Sequence, residues 1–332
     1  MNTDFWQDKR AVSKGIHVLA PMADVTDNPF RRILSEIGAP DVYWNEFVAA
    51  DGLSHPDARP KLERLLTYEK EQRPIVAQIF SGDPDNCRTA GAICAEKGFD
   101  AVDINMGCPA RNIIRQVSGS ELSKAEHRQR VADILKATQE GVWSVDRNIP
   151  VSIKTRLGFN FIDIEWLKFL FGLDLPLLTL HLRTRKEMSK VPAHWELMTK
   201  IRAMRDQLSP QTVLIGNGDV QSVTDGQKLI AEHGIDGIMY GRALFSNPWL
   251  FRPDLDPNGI DVSQRIELAL RHTRYFMEEN TVDDRLVKNF NLMKKFFKVY
   301  IQGFDGAKEL RTRMMGAKDY QQLEDITKVF QS

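Results

Sequence analysis

"IHVLAPMADVTDNPF", residues 16–30, decides the fold. Its apolar start reads as a buried strand, and a helical stretch follows over 28–38. The turn between them, "APMADVTDNPF", contains no glycine. An open doubly wound sheet would usually carry GxGxxG there, so that backbone can approach a dinucleotide; the turn weakens that architecture. Seven more short runs rich in Val, Ile and Leu succeed it: 41–47, 74–80, 100–107, 150–156, 177–183, 212–218 and 234–242. Helical stretches such as 84–97, 123–140 and 221–233 lie between them. Eight strand-helix units over about 250 residues predict an α/β fold, a (β/α)8 TIM barrel. Pro248, Pro253 and Pro257 then punctuate a linker, and the remainder reads as helical. The expected division is a barrel over 1–250 and a C-terminal helical domain over 251–332.

Composition narrows the function classes. The 332 residues carry 45 Lys+Arg and 45 Asp+Glu, a formal net charge of zero, so any basic surface is local. The N-terminus lacks the layout of a signal peptide, and no apolar run reaches membrane-spanning length. The three cysteines, Cys87, Cys94 and Cys108, are odd in number and lack CxxC spacing. That argues against a disulfide framework or a zinc site, and for a reducing cytoplasm. Cys87 and Cys94 fall on a predicted helix and read as packing residues.

In a barrel the C-terminal strand ends carry the chemistry. Read in order they are Pro21-Met22-Ala23, Asn45-Glu46, Gln78, Asn105, Lys154, His181, Asn217-Gly218-Asp219 and Gly241-Arg242. Any one could be a bland loop residue; eight on one rim are harder to dismiss. The turns after strands seven and eight are the usual phosphate site of this fold. There Gly218, Asp219 and Gly241 offer backbone N–H groups, and Arg242 a cationic fork. Gln78 and Asn105 each donate and accept, and Lys154 would place positive charge beside an electron-accepting ring. The ligand inferred is a phosphorylated redox ring, most simply FMN.

Together "APMADVTDNPFR", "NEFV", "QIFSGDP", "DINMGCPARN" with "GSEL", "VSIKTRLG", "LHLRTR", "GNGDV" and "YGRALFSNPWLF" resemble the dihydrouridine synthases. "NMGCPA" is the most specific of these, and the C-terminal stretch looks like that family's helical tail. The resemblance implies an FMN oxidoreductase, a flavoprotein that uses NADPH to reduce the 5,6 double bond of uridines in tRNA. It implies that Pro21, Met22, Ala23, Gln78, Lys154, His181, Asn217, Gly218, Asp219, Gly241 and Arg242 hold FMN. Asn105 would orient the substrate ring and Cys108 would be the catalytic acid. Leu182 stands where the family commonly has glycine, and Ile113-Ile114 follow "CPARN" where it has basic residues and a small-residue turn.

Reducing uracil requires hydride at C6 and a proton at C5, so the acid must be rigidly held and protonated at neutral pH. A free thiol mostly meets that condition. Pro109 supplies no N–H to the sulfur, which favours an acid over an activated nucleophile. With a flavin separating the half-reactions, NADPH needs no site of its own, in keeping with the missing GxGxxG.

From Arg285 to Arg313 there are eight Lys/Arg and two acids, with Phe290, Phe296, Phe297 and Tyr300 interleaved. In isolation this reads as an amphipathic bundle with an aromatic core. Beside such a barrel it reads as a phosphate-backbone platform for RNA, with Arg111, Lys288, Lys294, Lys295, Lys298, Arg311 and Arg313 as candidates. Chemistry on a base in folded RNA also requires the base to be extruded into a pocket. The expectation is a cytoplasmic monomer that binds tRNA, with no membrane and no metal. Two alternatives stay open: an FMN barrel acting on a free pyrimidine, as a dihydroorotate dehydrogenase does, and a non-catalytic RNA-binding barrel.

Overall fold

The computed structural model describes residues 4–331. Eight parallel strands form one ring: β1 (Ile16–Leu19), β2 (Tyr43–Trp44), β3 (Ile75–Phe80), β4 (Ala101–Met106), β5 (Val151–Arg156), β6 (Leu177–His181), β7 (Val213–Asn217) and β8 (Gly237–Tyr240). The ring closes where β1 runs parallel to β8, in register from Ile16↔Gly237 to Leu19↔Tyr240. Between β1 and β2 the pairing is thinner, a single bridge at Val18↔Val42. The strand expected over 41–47 breaks into Tyr43–Trp44 and Val48–Ala49. At the break the Asn45 side-chain carbonyl takes the Gln78 N–H (2.7 Å), a position a backbone carbonyl would hold in an unbroken ladder.

The longer helices of the barrel are α1 (Asp4–Val12), α2 (Asn28–Ile37), α3 (Pro84–Glu96), α4 (Arg128–Trp143), α5 (Ile164–Phe171), α6 (Met198–Leu208) and α7 (Val223–His233). Beyond the barrel come α8 (Val262–Asn280), α9 (Lys294–Tyr300), α10 (Ala307–Gly316) and α11 (Tyr320–Gln331). Their starts are encoded locally. Asp27, Asp83, Asp163, Ser222 and Asp261 each accept a backbone N–H of the first turn. The helix expected over 123–140 begins only at Arg128, because Gly119–His127 winds as tight 3-10 turns.

Two apolar layers result. Inside the ring, Val18, Trp44, Val76, Leu177, Ile215 and Met239 pack together. Trp6 of α1, fully buried, stacks on Trp44 (5.7 Å) and plugs the end where the strands begin. Outside, the helices cover the strands, and the same core continues without a break into α8–α11. Phe30 of α2 meets Phe296 (5.1 Å) and His272, whose Nδ1 bonds the Tyr300 hydroxyl (2.9 Å). The tail therefore sits on the β1 side of the barrel. Among the described residues no helix is long and apolar enough to cross a membrane.

Candidate active site at the mouth of the barrel

The strand ends surround a cavity of about 570 Å³, within the range of small-ligand sites. Its β4 wall is anchored from below. Asp103, fully buried in the barrel, accepts from Ser152 Oγ (2.6 Å) and Gln78 Nε2 (2.6 Å). Gln78 Oε1 accepts from Asn105 Nδ2 (2.9 Å). Asn105 Oδ1 in turn accepts the N–H groups of Gly107 (3.0 Å) and Cys108 (2.9 Å). The Gly107 carbonyl takes Arg156 Nε (2.7 Å), and the Cys108 carbonyl takes the Ser120 N–H (3.0 Å). The "NMGC" turn is thus fixed at four points, and Cys108 lines the cavity.

Burial pushes the Cys108 thiol above its ordinary value, against the pull of the Ala110 N–H, Arg156 and Lys154. Pro109 donates nothing, but Ala110, one residue on, does reach the sulfur; burial outweighs it.

The adjoining walls are cationic. Lys154 lines the cavity, with Asn217 Oδ1 3.4 Å from its Nζ, and burial with Arg156 beside it brings its pKa down to about 8. Arg156 is brought down to about 10, first by burial. His181 is held neutral by burial and by Arg156, Lys154, Arg183 and Arg242. Arg183 Nη1 lies 3.2 Å from His181 Nε2; a guanidinium only donates, so Nε2 accepts and the ring proton sits on Nδ1. Leu182 between them is fully buried in the outer core.

After β7, Gly218 (φ 135°) and Asp219 (φ 60°) turn the chain. The Asp219 carboxylate accepts from Arg183, from the Ala193 N–H (2.9 Å) and from Arg242 Nη2 (3.0 Å). Across from it, Pro21, Met22 and Gly241 form the wall. A Cβ at Gly241 would stand 3.3 Å from Met22 Sδ, so glycine keeps this side open. The cavity lining carries three cations, Lys154, Arg156 and Arg242, against one carboxylate, Asp219.

Of the residues expected here, Pro21, Met22, Asn105, Cys108, Lys154, His181, Asn217, Gly218, Asp219, Gly241 and Arg242 meet at this cavity. Gln78 does not reach it: β3 runs on through Phe80, so Gln78 lies one layer down, supporting Asn105. Ala23 faces solvent, outside the lining. Sequence reasoning missed Arg156, Arg183 and Phe47. The i, i+2 spacing of Lys154 and Arg156 on one strand, which puts both on one face, was the available signal for Arg156.

The tail cations divide. Lys288 stands 3.8 Å from Glu46 Oε2 beside a second cavity of about 380 Å³, and Lys295 donates to the Asp24 carbonyl. Both tie the tail to the barrel rim. Glu46 is pushed up to about 7 by burial and by Asp27, and its Oε2 is buried with no hydrogen-bond partner. Arg311 donates to the Ile301 carbonyl (2.6 Å), Lys294 is half-buried, and Lys298, Arg313 and the more distant Arg111 are exposed. Phe290, Phe296, Phe297 and Tyr300 are all buried, so the interleaved aromatics form the tail's core and not a stacking surface.

Comparison with known proteins is consistent over the whole chain. The family model described as "Dihydrouridine synthase (Dus)" matches residues 18–332. A "Probable tRNA-dihydrouridine synthase 2" of Bacillus subtilis (strain 168) is 38% identical over all of this chain and 98% of its own. A "Probable tRNA-dihydrouridine synthase" of Staphylococcus aureus (strain MRSA252) is 36% identical over all of this chain and 97% of its own. Among solved structures, morphinone reductase superposes with a TM-score of 0.51 at 13% identity, over 73% of this chain and 86% of that one. A 2-naphthoyl-CoA reductase complex gives 0.56 at 11% identity, over 71% and 49%. At these identities the two structures speak to the barrel fold alone.

Proposed function

Because the chain belongs to the dihydrouridine synthase family, we propose that it reduces uridine in tRNA to dihydrouridine, with FMN bound in the barrel mouth, NADPH as reductant and Cys108 as the acid. The observation that carries this reading is the pinned, protonated Cys108 facing a cavity with three cations and one carboxylate. That surplus of positive charge fits a phosphorylated ring that becomes more electron-rich on reduction. The turns at Gly218-Asp219 and Gly241-Arg242 would hold the phosphate, with Lys154, His181 and Asn217 beside the ring and Pro21 and Met22 behind it. Arg183 orients His181 and Asp219 from below.

FMN held there would supply the hydride chemistry, between NADPH and C6 of the uracil. The protein's part is the other hydrogen. Cys108 gives its Sγ proton to C5, and the thiolate left behind is favoured by the Ala110 N–H, Arg156 and Lys154. Asn105 keeps Cys108 in place, and its remaining amide hydrogen is available to the uracil edge. Residues 1–250 supply this chemistry and residues 251–332 the RNA grip, through the exposed Lys298 and Arg313 and the half-buried Lys294. Arg111, exposed beyond the "CPA" turn, would meet RNA from the barrel side. Lys288, Lys295 and Arg311 hold the tail itself. The protein would work as a cytoplasmic monomer without a metal.

The test is spectroscopic. The purified protein should carry a flavin spectrum, be bleached by NADPH, and regain its colour with tRNA lacking dihydrouridine. Recovery with free orotate or fumarate, and not with RNA, would favour a free-pyrimidine oxidoreductase. A protein that binds RNA and no flavin would be a non-catalytic barrel.

A further inference from the structure

The rim of the barrel carries an aromatic ridge that the site described above does not use. The loop leaving β5 runs from Leu157 to Asp163 and is closed on itself by the Asp163 N–H to the Leu157 carbonyl (2.8 Å). Asp163 also caps α5 through the Trp166 N–H (3.0 Å) and takes Arg128 Nη2 (2.9 Å). Gly158, at φ 144°, allows the tight return, since a Cβ there would come within 2.3 Å of the Phe161 carbonyl. The loop after β6 is laced to it, Arg185 N–H to the Gly158 carbonyl (2.9 Å) and Lys186 N–H to the Phe159 carbonyl (2.9 Å). A loop tied at this many points is rigid, yet it presents the Phe161 side chain 69% exposed.

The loop that carries Phe161 has cations around its other ring, two residues back. Phe159 lies between Lys124 Nζ (4.7 Å from the ring centre) and the Arg185 guanidinium (4.9 Å). Arg185 Nε is buried and has no hydrogen-bond partner, and Lys186 is exposed. The nearby carboxylates are already engaged, Glu121 by Lys124 and Asp163 by Arg128. A bare aromatic on a loop whose neighbouring ring, Phe159, is flanked by Lys and Arg is poorly suited to a purely apolar partner. It matches a nucleobase with its phosphate, since every base has a π-face and stacking on it is indifferent to sequence.

Position supplies the second argument. The order around the ring is β1-β8-β7-β6-β5-β4-β3-β2, which places β5 diametrically opposite β1. The tail packs on α2, which follows β1, and on the turn after β8. The ridge therefore faces the tail across the cavity. It is also continuous with the cavity wall, because Arg156 donates to the carbonyls of Thr184 (3.4 Å) and Met188 (3.3 Å) in the β6 loop. An RNA strand held by the tail, with one base in the cavity, would arrive on this ridge as it leaves.

We propose that Phe161 is a stacking site for an unpaired nucleobase of the substrate RNA, with Arg185 and Lys186 taking its backbone, so that the strand is held on both sides of the extruded base. This rests on the RNA-directed function proposed above. The experiment compares flavin-loaded wild type, Phe161→Ala, Phe161→Leu and Phe161→Trp for binding of tRNA lacking dihydrouridine, alongside flavin content and reduction by NADPH. Phe161→Ala should bind about tenfold more weakly, with KM for tRNA raised and NADPH reduction unchanged. Phe161→Trp should bind at least as well as wild type. Binding by Phe161→Ala or Phe161→Leu equal to wild type overturns the proposal. So does a Phe161→Ala protein that binds RNA normally but no longer self-associates in sedimentation, which would make the ridge a contact between copies. Failure of wild type itself to bind tRNA would instead remove the functional reading on which the proposal stands.

Discussion

Replacing Cys108 by alanine separates its chemical role from every structural one. The side chain lines an open cavity, and its backbone is held independently by Asn105 Oδ1 and the Ser120 N–H. Removing the sulfur leaves the Ala110 N–H facing the cavity, where water reaches it. The stability cost should be about 1 kcal/mol or less, and flavin content and NADPH reduction should not change. Loss of the acid, by contrast, should slow the uridine step by about 10²–10⁴-fold, equivalent to about 2.7–5.4 kcal/mol of barrel-mouth chemistry. The assay is a single turnover under anaerobic conditions: NADPH-reduced enzyme is mixed with tRNA lacking dihydrouridine, and the return of flavin absorbance is followed. The pH profile adds a sign. Only the thiol form donates, and burial holds it above its ordinary 9.0. The wild-type rate should therefore be flat through neutral pH and fall only above that value, while Cys108→Ala should show no such fall. A Cys108→Ala enzyme that reoxidises at the wild-type rate refutes the acid assignment.

Other consequences concern the scaffold. Glu46 has a folded pKa of about 7, above its ordinary 4.5, so its contribution to stability is full below the ordinary value and is lost as pH rises through about 7. The melting temperature of wild type should fall across that window relative to Glu46→Gln; parallel curves would contradict the buried acid at the barrel–tail junction. Lys154, at about 8, should gain a proton when an anionic ring binds beside it. Calorimetry of FMN binding at pH 8 in buffers of different ionisation heat should show proton uptake, which Lys154→Met abolishes; heats independent of buffer would count against Lys154 as the flavin's neighbour. At Gly218, φ is 135° and a Cβ would stand 2.8 Å from Ala193 Cβ. Gly218→Ala should cost about 1–3 kcal/mol and lower the flavin-to-protein absorbance ratio, whereas a fully flavinated variant of unchanged melting temperature would show that the turn does not matter.

The residues that were legible in the sequence are those whose role follows from local chemistry. Runs such as "PIVAQIF" and "DAVDINMG" gave their strands because β-branched residues buried on both faces read the same in any order of strands. Most strand-end residues fell on the cavity because a barrel gathers all its strand ends on one side. What failed depended on distance along the chain. Gln78 was one layer too deep: the run 74–80 already ended two residues beyond it, and its register beside Asp103 keeps it below Asn105. Arg183 read only as the last residue of the run 177–183, and only the fold brings Asp219 against it beside His181. In the tail, Lys288 and Lys295 looked like free cations until the fold put Glu46 and the Asp24 carbonyl beside them, across more than 240 positions of sequence. Phe296 and Tyr300 likewise needed Phe30 and His272 to become core.

The most direct measurement is the product itself. Flavin-loaded protein is incubated with NADPH and tRNA from cells lacking dihydrouridine, and the nucleosides are analysed by mass spectrometry. A uridine that gains the mass of H₂, with wild type and not with Cys108→Ala, is the predicted result. No such gain at any uridine, or an undiminished gain with Cys108→Ala, would contradict it.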